Sequence, residues 1–126
     1  MNRRRGELAK TRAGLRIHVL DMLRGVVAEG LRVEVFRLGH RAEKRYSGRL
    51  GSDGALDDPA VLDGGLEVGE YEVVFHLGEY YRGIKSGGSK APFLESVTLR
   101  LGVADPKCLY DLPLRINPAG ICMAGV

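Results

Sequence analysis

Few side chains of this sequence can do chemistry, and one strand histidine stands out among them. The chain has 126 residues, with three histidines and two cysteines. His18 and Arg16 alternate with Ile17 and Val19, so the imidazole and the guanidinium share the polar face of a predicted strand. An imidazole with a pKa of about 6.5 can take or give a proton at neutral pH. His18 is therefore a candidate base, although a lone strand histidine usually has only a structural role.

The remaining histidines and the cysteines offer no comparable arrangement. We expect His40, in a Gly-His-Arg loop, to be exposed, and His76, in a strand, to pack or to hydrogen-bond. Cys108 and Cys122 lack the spacing to partner residues that zinc sites use. Two free thiols suit a reducing compartment. We therefore expect no metal and no cofactor.

Short strands must position these side chains, because the apolar residues recur mostly with a period of two. The alternating runs are 15–20, 31–35, 71–77, 97–103 and 112–116. Turn signals separate them, and the chain has 18 glycines. The pattern favours an all-β sandwich or barrel, with one short helix around 77–84.

The basic residues are concentrated at the start of a chain whose net charge is +3. We interpret residues 1–13 as a flexible basic arm and 14–126 as one folded domain, a phosphate-binding arm being the alternative. No aromatic residue precedes Phe36, which argues against a nucleic-acid partner. No apolar run approaches the roughly 20 residues of a membrane span, and no signal peptide is evident. We expect a cytoplasmic protein with no membrane partner.

Five segments, in order, resemble the transthyretin / 5-hydroxyisourate hydrolase family. They are 17–21 with the following Arg-Gly, 71–81, 92–94, 102–105, and 110–114 with the following Asn-Pro. The resemblance runs from Leu15 to the C-terminus and implies a transthyretin-like sandwich of two four-stranded antiparallel sheets with one short helix. It also implies a homotetramer, a dimer of dimers. The channel between the dimers holds the active sites of the hydrolases or the ligand of transthyretin.

The resemblance implies a catalytic site of two histidines, an arginine and a C-terminal Tyr-Arg-Gly-Ser tail. His18 matches the first histidine. The arginine position, after an Asp-Gly turn, is Ala55, and a methyl group cannot bind an oxyanion. Arg49 lies nearby in sequence and is a candidate replacement, or else an ordinary surface arginine.

The position of the second histidine is Asp111. A carboxylate is a far weaker base at neutral pH unless burial raises its pKa. Asp111 could still orient or activate a partner; the alternative is a surface aspartate paired with Arg115.

The tail departs most from the family pattern, because 119–126 contains no tyrosine, arginine or serine. Small apolar residues there imply a wider and more apolar pocket. Candidate substrate-binding residues are Arg16, Cys122, Ala124 and Val126. Cys122 would be a nucleophile if His18 served as its base, and otherwise a buried inert thiol.

Three functions stay open, in this order. The first is a diverged enzyme that uses His18 and Asp111 on another small cyclic amide, lactone or imide. The second is a protein that binds an apolar small molecule without catalysis, and the third is the ancestral hydrolase with substitute residues. Because only His18 survives of the expected catalytic positions, we expect negligible opening of 5-hydroxyisourate.

Overall fold

The computed structural model describes residues 14–56, 66–84 and 93–123. The predicted arm, 1–13, and the candidate residues Ala124 and Val126 lie outside these ranges. Within them, no helix is long and apolar enough to cross a membrane.

Eight strands and one short helix make up the described chain. The elements are β1 (Gly14–Asp21), β2 (Val26–Val27), β3 (Arg32–Leu38), β4 (Glu43–Arg49), β5 (Gly69–Phe75), α1 (Leu77–Arg82), β6 (Val97–Val103), β7 (Leu109–Asn117) and β8 (Gly120–Met123). The strands form two four-stranded sheets in the orders β2-β1-β7-β8 and β4-β3-β5-β6. The predicted sandwich with one short helix is thus confirmed.

One strand pair differs from the antiparallel expectation. β1 and β7 run parallel, with Gly14 opposite Leu109 and Asp21 opposite Ile116. Every other strand pair named in the described chain is antiparallel. The parallel pair matters because it sets β1 and β7 side by side over their full length.

The core lies between the sheets and explains which side chains face outward. Ile17 and Val19 of β1 are 0% and 3% exposed, and Val73 and Phe75 of β5 are both 0% exposed. Fully burying such a side chain contributes about 1.5–3 kcal/mol. Because strand side chains alternate between faces, burial of Ile17 and Val19 holds His18, between them, on the outer face of the first sheet.

The helix and the edge strands refine the sequence prediction. β5 ends at Phe75, so His76 precedes the helix and does not lie in a strand as expected. Strand β4, with the sequence EKRYSGR, has no apolar alternation that predicts a strand. Its charged residues suit a sheet edge, where they disfavour pairing with other chains.

Candidate functional site

The outer face of the first sheet brings together side chains from β1 and β7. Neighbours across the two strands are Arg16 with Asp111, His18 with Pro113, and Leu20 with Arg115. All six residues are exposed or half-buried, in contrast with the buried residues that alternate with them. The face therefore presents a histidine, a carboxylate and two guanidinium groups on a rigid sheet.

His18 and Asp111 form a pair on this face. His18 Nε2 lies 3.2 Å from Asp111 Oδ1, and the side chains are 45% and 48% exposed. No other ion pair or side-chain hydrogen bond of either residue occurs among the described residues. A carboxylate at this distance orients the imidazole by accepting a hydrogen bond from Nε2. Asp111 therefore contacts His18 and not Arg115, the alternative partner considered from sequence.

Ala55 lies directly beside His18. The two residues form an isolated antiparallel bridge, and Val19 N–H donates to the Gly54 carbonyl at 2.9 Å. Gly54 has a φ of +73°, and a Cβ there would lie 2.7 Å from Val27 Cβ, so the turn needs glycine. The residue that follows the Asp-Gly turn is thus paired with His18 across the backbone bridge, and in this chain its side chain is a methyl group.

The structure does not bring Arg49 to this pair by any described contact. Arg49 ends β4 at the edge of the second sheet. Its Nη1 donates to the Gly30 carbonyl at 3.0 Å and to Glu79 Oε1 of α1 at 3.3 Å. These contacts link Arg49 to the helix and favour the surface-arginine interpretation.

Strand β8 places Cys122 on the outer face opposite Arg115. Its thiol is free and exposed in this chain, so the expectation of a buried thiol is wrong here. Arg115 also lines a cavity of about 280 Å³ beside His18, with Asp53 as its other charged group and apolar walls from Val19, Leu20, Val27, Pro113 and Leu114.

The sequence interpretation missed a buried carboxylate that anchors β1. Asp21 is 0% exposed and accepts hydrogen bonds of 2.8 Å from both Tyr80 and Tyr81 of α1. Arg24 Nε donates to it at 3.1 Å. Burial opposes ionisation, but these hydrogen bonds outweigh it and hold the pKa of Asp21 below its usual value. The strand that carries His18 is thus fixed to the helix. The sequence feature that could have revealed Asp21 is a charged residue at the end of a buried strand.

A second histidine–carboxylate pair joins β3 of the second sheet to the residue that precedes α1. His76 Nε2 and Glu34 Oε1 form a hydrogen bond of 2.8 Å, with side chains 20% and 13% exposed. Lys44 Nζ lies 2.9 Å from Glu34 Oε2, and Arg32 Nη1 lies 3.7 Å from it. The hydrogen bonds from Lys44 and His76 lower the pKa of Glu34. In the described ranges, no cluster of three or more histidine, cysteine or carboxylate residues could hold a metal ion.

Comparison with known proteins gives this β-sandwich a family. Residues 15–123 match the model of the HIUase/Transthyretin family. A 5-hydroxyisourate hydrolase 2 of Rhizobium meliloti is 41% identical over 110 residues, which are 84% of this chain and 89% of that protein. A 5-hydroxyisourate hydrolase of Deinococcus radiodurans is 39% identical over 106 residues, 83% of this chain and 88% of that protein. The chain belongs to the HIUase/Transthyretin family.

Solved structures agree with that placement. The crystal structure of an (S)-allantoin synthase superposes with a TM-score of 0.77 at 32% identity, covering 92% of this chain. This chain spans only 44% of that protein's chain. The structure of Klebsiella pneumoniae 5-hydroxyisourate hydrolase has a TM-score of 0.70 at 21% identity, covers 89% of this chain and 96% of that one, and supports the fold alone.

Proposed function

We propose that this protein is a diverged relative of the 5-hydroxyisourate hydrolases that opens a small cyclic amide, imide or lactone with water. One observation carries the proposal: the 3.2 Å contact between His18 and Asp111 on an exposed sheet face. A histidine oriented by a carboxylate is an arrangement that hydrolytic enzymes use to move protons. The family relationship supports hydrolysis of a ring over other proton-transfer reactions.

The proposed step uses His18 first as a base and then as an acid. Asp111 holds the Nε2 side of the ring, which leaves Nδ1 to accept a proton from an attacking water. The water oxygen bonds to the ring carbonyl carbon, and the carbon–nitrogen or carbon–oxygen bond of the ring then breaks. His18 returns the proton to the leaving atom. Such proton transfer contributes typically about 10²–10⁴ in rate.

The replacement at position 55 limits which substrates react well. Loss of one oxyanion donor typically costs about 10²–10³ in rate, and the Ala55 methyl beside His18 offers none. We therefore expect opening of 5-hydroxyisourate to be far slower than in relatives that carry a cation there. An ultraviolet decay assay checks this expectation, and acceleration comparable to theirs would favour the ancestral hydrolase function, to which the names of the curated relatives point.

A binding protein without turnover is the second candidate. The apolar walls of the cavity beside His18 and the methyl of Ala55 favour it, because both suit an uncharged ligand. It predicts modest changes in affinity when His18 is truncated and no product at any time.

The proposal includes assembly as a homotetramer, a dimer of dimers, with the outer face of the first sheet at the dimer–dimer channel. β8 lies at the edge of that sheet, and its short apolar sequence GICM would be costly as a free edge. Light scattering at micromolar concentration is expected to give four times the chain mass. A monomer would contradict this assembly.

The function is tested on the purified full chain with a panel of small cyclic amides, imides and lactones, including 5-hydroxyisourate. Mass spectrometry follows addition of water, and thermal shift follows binding. We expect at least one ring to open, with at least 10²-fold loss in His18→Ala. His40→Ala is the matched control, because His40 is exposed in a loop outside the first sheet. Equal turnover by His18→Ala, or binding without any product, would contradict the proposal.

A further inference from the structure

The arginines of the described chain divide into those with carboxylate partners and those without. Ion pairs with Asp or Glu are formed by Arg24, Arg32, Arg37, Arg45, Arg49, Arg82 and Arg100. Among the described residues, Arg16, Arg41 and Arg115 form none. Arg41 lies in an exposed loop, whereas Arg16 and Arg115 lie on the outer face of the first sheet, on either side of His18.

Arg16 and Arg115 have different surroundings on that face. Arg16 is opposite Asp111, so a carboxylate lies next to it on the neighbouring strand. Arg115 is four residues further along β7, about 13 Å from Asp111 between Cα atoms, and Asp111 pairs with His18 instead. The cross-strand neighbours of Arg115 are Leu20 and Cys122, neither of which carries a carboxylate. The charge of Arg115 is therefore the less compensated of the two.

Arg115 also shares a cavity with the histidine. The space of about 280 Å³ is lined by His18 and Arg115, with a largely apolar wall between them. Asp53 lines the same cavity from the turn that precedes Ala55, on the opposite side of β1 from β7. One Asp53 oxygen, Oδ1, accepts the Ala55 N–H at 3.0 Å, and Oδ2 makes no described bond.

We infer that Arg115 binds the anionic group of a small cyclic ligand whose ring lies against His18. The ligand is a ring with its negative charge toward β7 and an N–H group toward Asp53. The Asp53 carboxylate accepts a hydrogen bond from that N–H group. This inference rests on the proposed function only in taking the ring as the reacting part. It adds a charge preference that neither the His18–Asp111 pair nor the family fold requires.

Equilibrium binding with matched probes tests the charge preference. Orotate carries a carboxylate on the ring of uracil, and benzoate and benzamide form a second pair that differs in charge. Isothermal titration on the full chain compares wild type, Arg115→Gln and the matched control Arg41→Gln, which removes the unpaired arginine of the loop. We expect at least one anion to bind about tenfold more tightly than its neutral partner, since a hydrogen bond to a charged group contributes on this scale. The preference should disappear in Arg115→Gln and persist in Arg41→Gln.

The outcomes separate this inference from the proposed function, because binding requires no turnover. Equal affinity for charged and neutral probes, or a preference that survives Arg115→Gln, would overturn the inference even if His18 proves catalytic. A preference that depends on Arg115 upholds it even if no ring is opened. A nuclear magnetic resonance shift of the His18 ring protons on adding orotate places the anion at this cavity, and shifts confined to other histidines would overturn the assignment.

Discussion

Two histidine–carboxylate pairs occur in this molecule, and their surroundings differ sharply. His76, before the helix, and Glu34, on the second sheet, are 20% and 13% exposed, and Lys44 and Arg32 also contact the carboxylate. His18 and Asp111 on the first sheet are 45% and 48% exposed and have only each other among the described side chains. The carboxylate of the first pair is occupied by several protein partners, whereas both side chains of the second pair are half exposed to solvent.

The difference teaches that a histidine–carboxylate contact alone does not define a reactive site. At His76, cations satisfy the carboxylate, and the network continues from Arg32 to Glu79 of the helix at 3.2 Å. Such a network holds a strand and a helix together. At His18, no Lys or Arg lies within ion-pair distance of Asp111 in the described chain, so the imidazole is its only direct partner there.

The largest expected effect comes from supplying the missing cation. Ala55→Arg places a guanidinium beside His18, and we expect opening of 5-hydroxyisourate to rise about 10²-fold. Ultraviolet decay of the substrate measures the rate. Ala42→Arg, which adds an arginine in an exposed loop, is the matched control. No gain in Ala55→Arg, or an equal gain in both variants, would show that position 55 does not face the reacting ring.

The free energy of unfolding should depend more on Glu34 than on Asp111, whereas turnover should depend more on Asp111. Glu34→Gln leaves Lys44 and His76 without their charged partner, and we expect a loss of about 1–2 kcal/mol in the free energy of unfolding. Asp111→Asn is expected to stay within about 0.5 kcal/mol of wild type, because its side chain is half exposed. Urea denaturation measures both changes. A larger loss in Asp111→Asn than in Glu34→Gln would reverse the comparison.

The pH dependence of stability should follow Glu34 as well. Its pKa is lowered from the usual 4.5 by hydrogen bonds from Lys44 and His76. A carboxyl with a lowered folded pKa stabilises the fold above its unfolded value and loses that contribution as the pH falls through the folded value. We expect Glu34→Gln to flatten the loss of stability below pH 4.5 relative to wild type, as read from urea midpoints at successive pH values. An unchanged slope would show that Glu34 does not contribute to it.

The smallest effect is expected at the N-terminus. Deleting Met1 to Arg12 should leave the melting temperature and the assembly unchanged, because that segment has no periodic apolar face to bury. Differential scanning calorimetry and light scattering check this. A large drop in melting temperature, or loss of assembly, would show that the arm contributes to the fold.

The sequence predicted the fold well where apolar alternation was regular. Strands β1 and β6 emerged within a residue or so of their observed bounds, because one face of each packs on the core. Strand β4 was missed, since charges occupy the edge that it forms. The parallel pairing of β1 and β7 is a property of tertiary arrangement, and no local pattern encodes it.

The candidate site could be predicted only in part. The family resemblance aligned Asp111 with a histidine position, and the structure brings it to 3.2 Å from His18. Arg49 was proposed because of its closeness in sequence, but closeness in sequence does not fix the sheet on which a side chain lies. The buried Asp21 was missed because its partners, Tyr80 and Tyr81, are far away in the chain.

The catalytic role of the His18–Asp111 pair is tested most directly by a double-mutant cycle on whichever ring the protein opens fastest. Turnover is compared in His18→Ala, Asp111→Asn and the double variant, with Glu34→Gln as the control from the second pair. If the two residues act as a unit, each single variant loses about as much as the double, and Glu34→Gln stays near wild type. Wild-type turnover in both single variants would contradict the account.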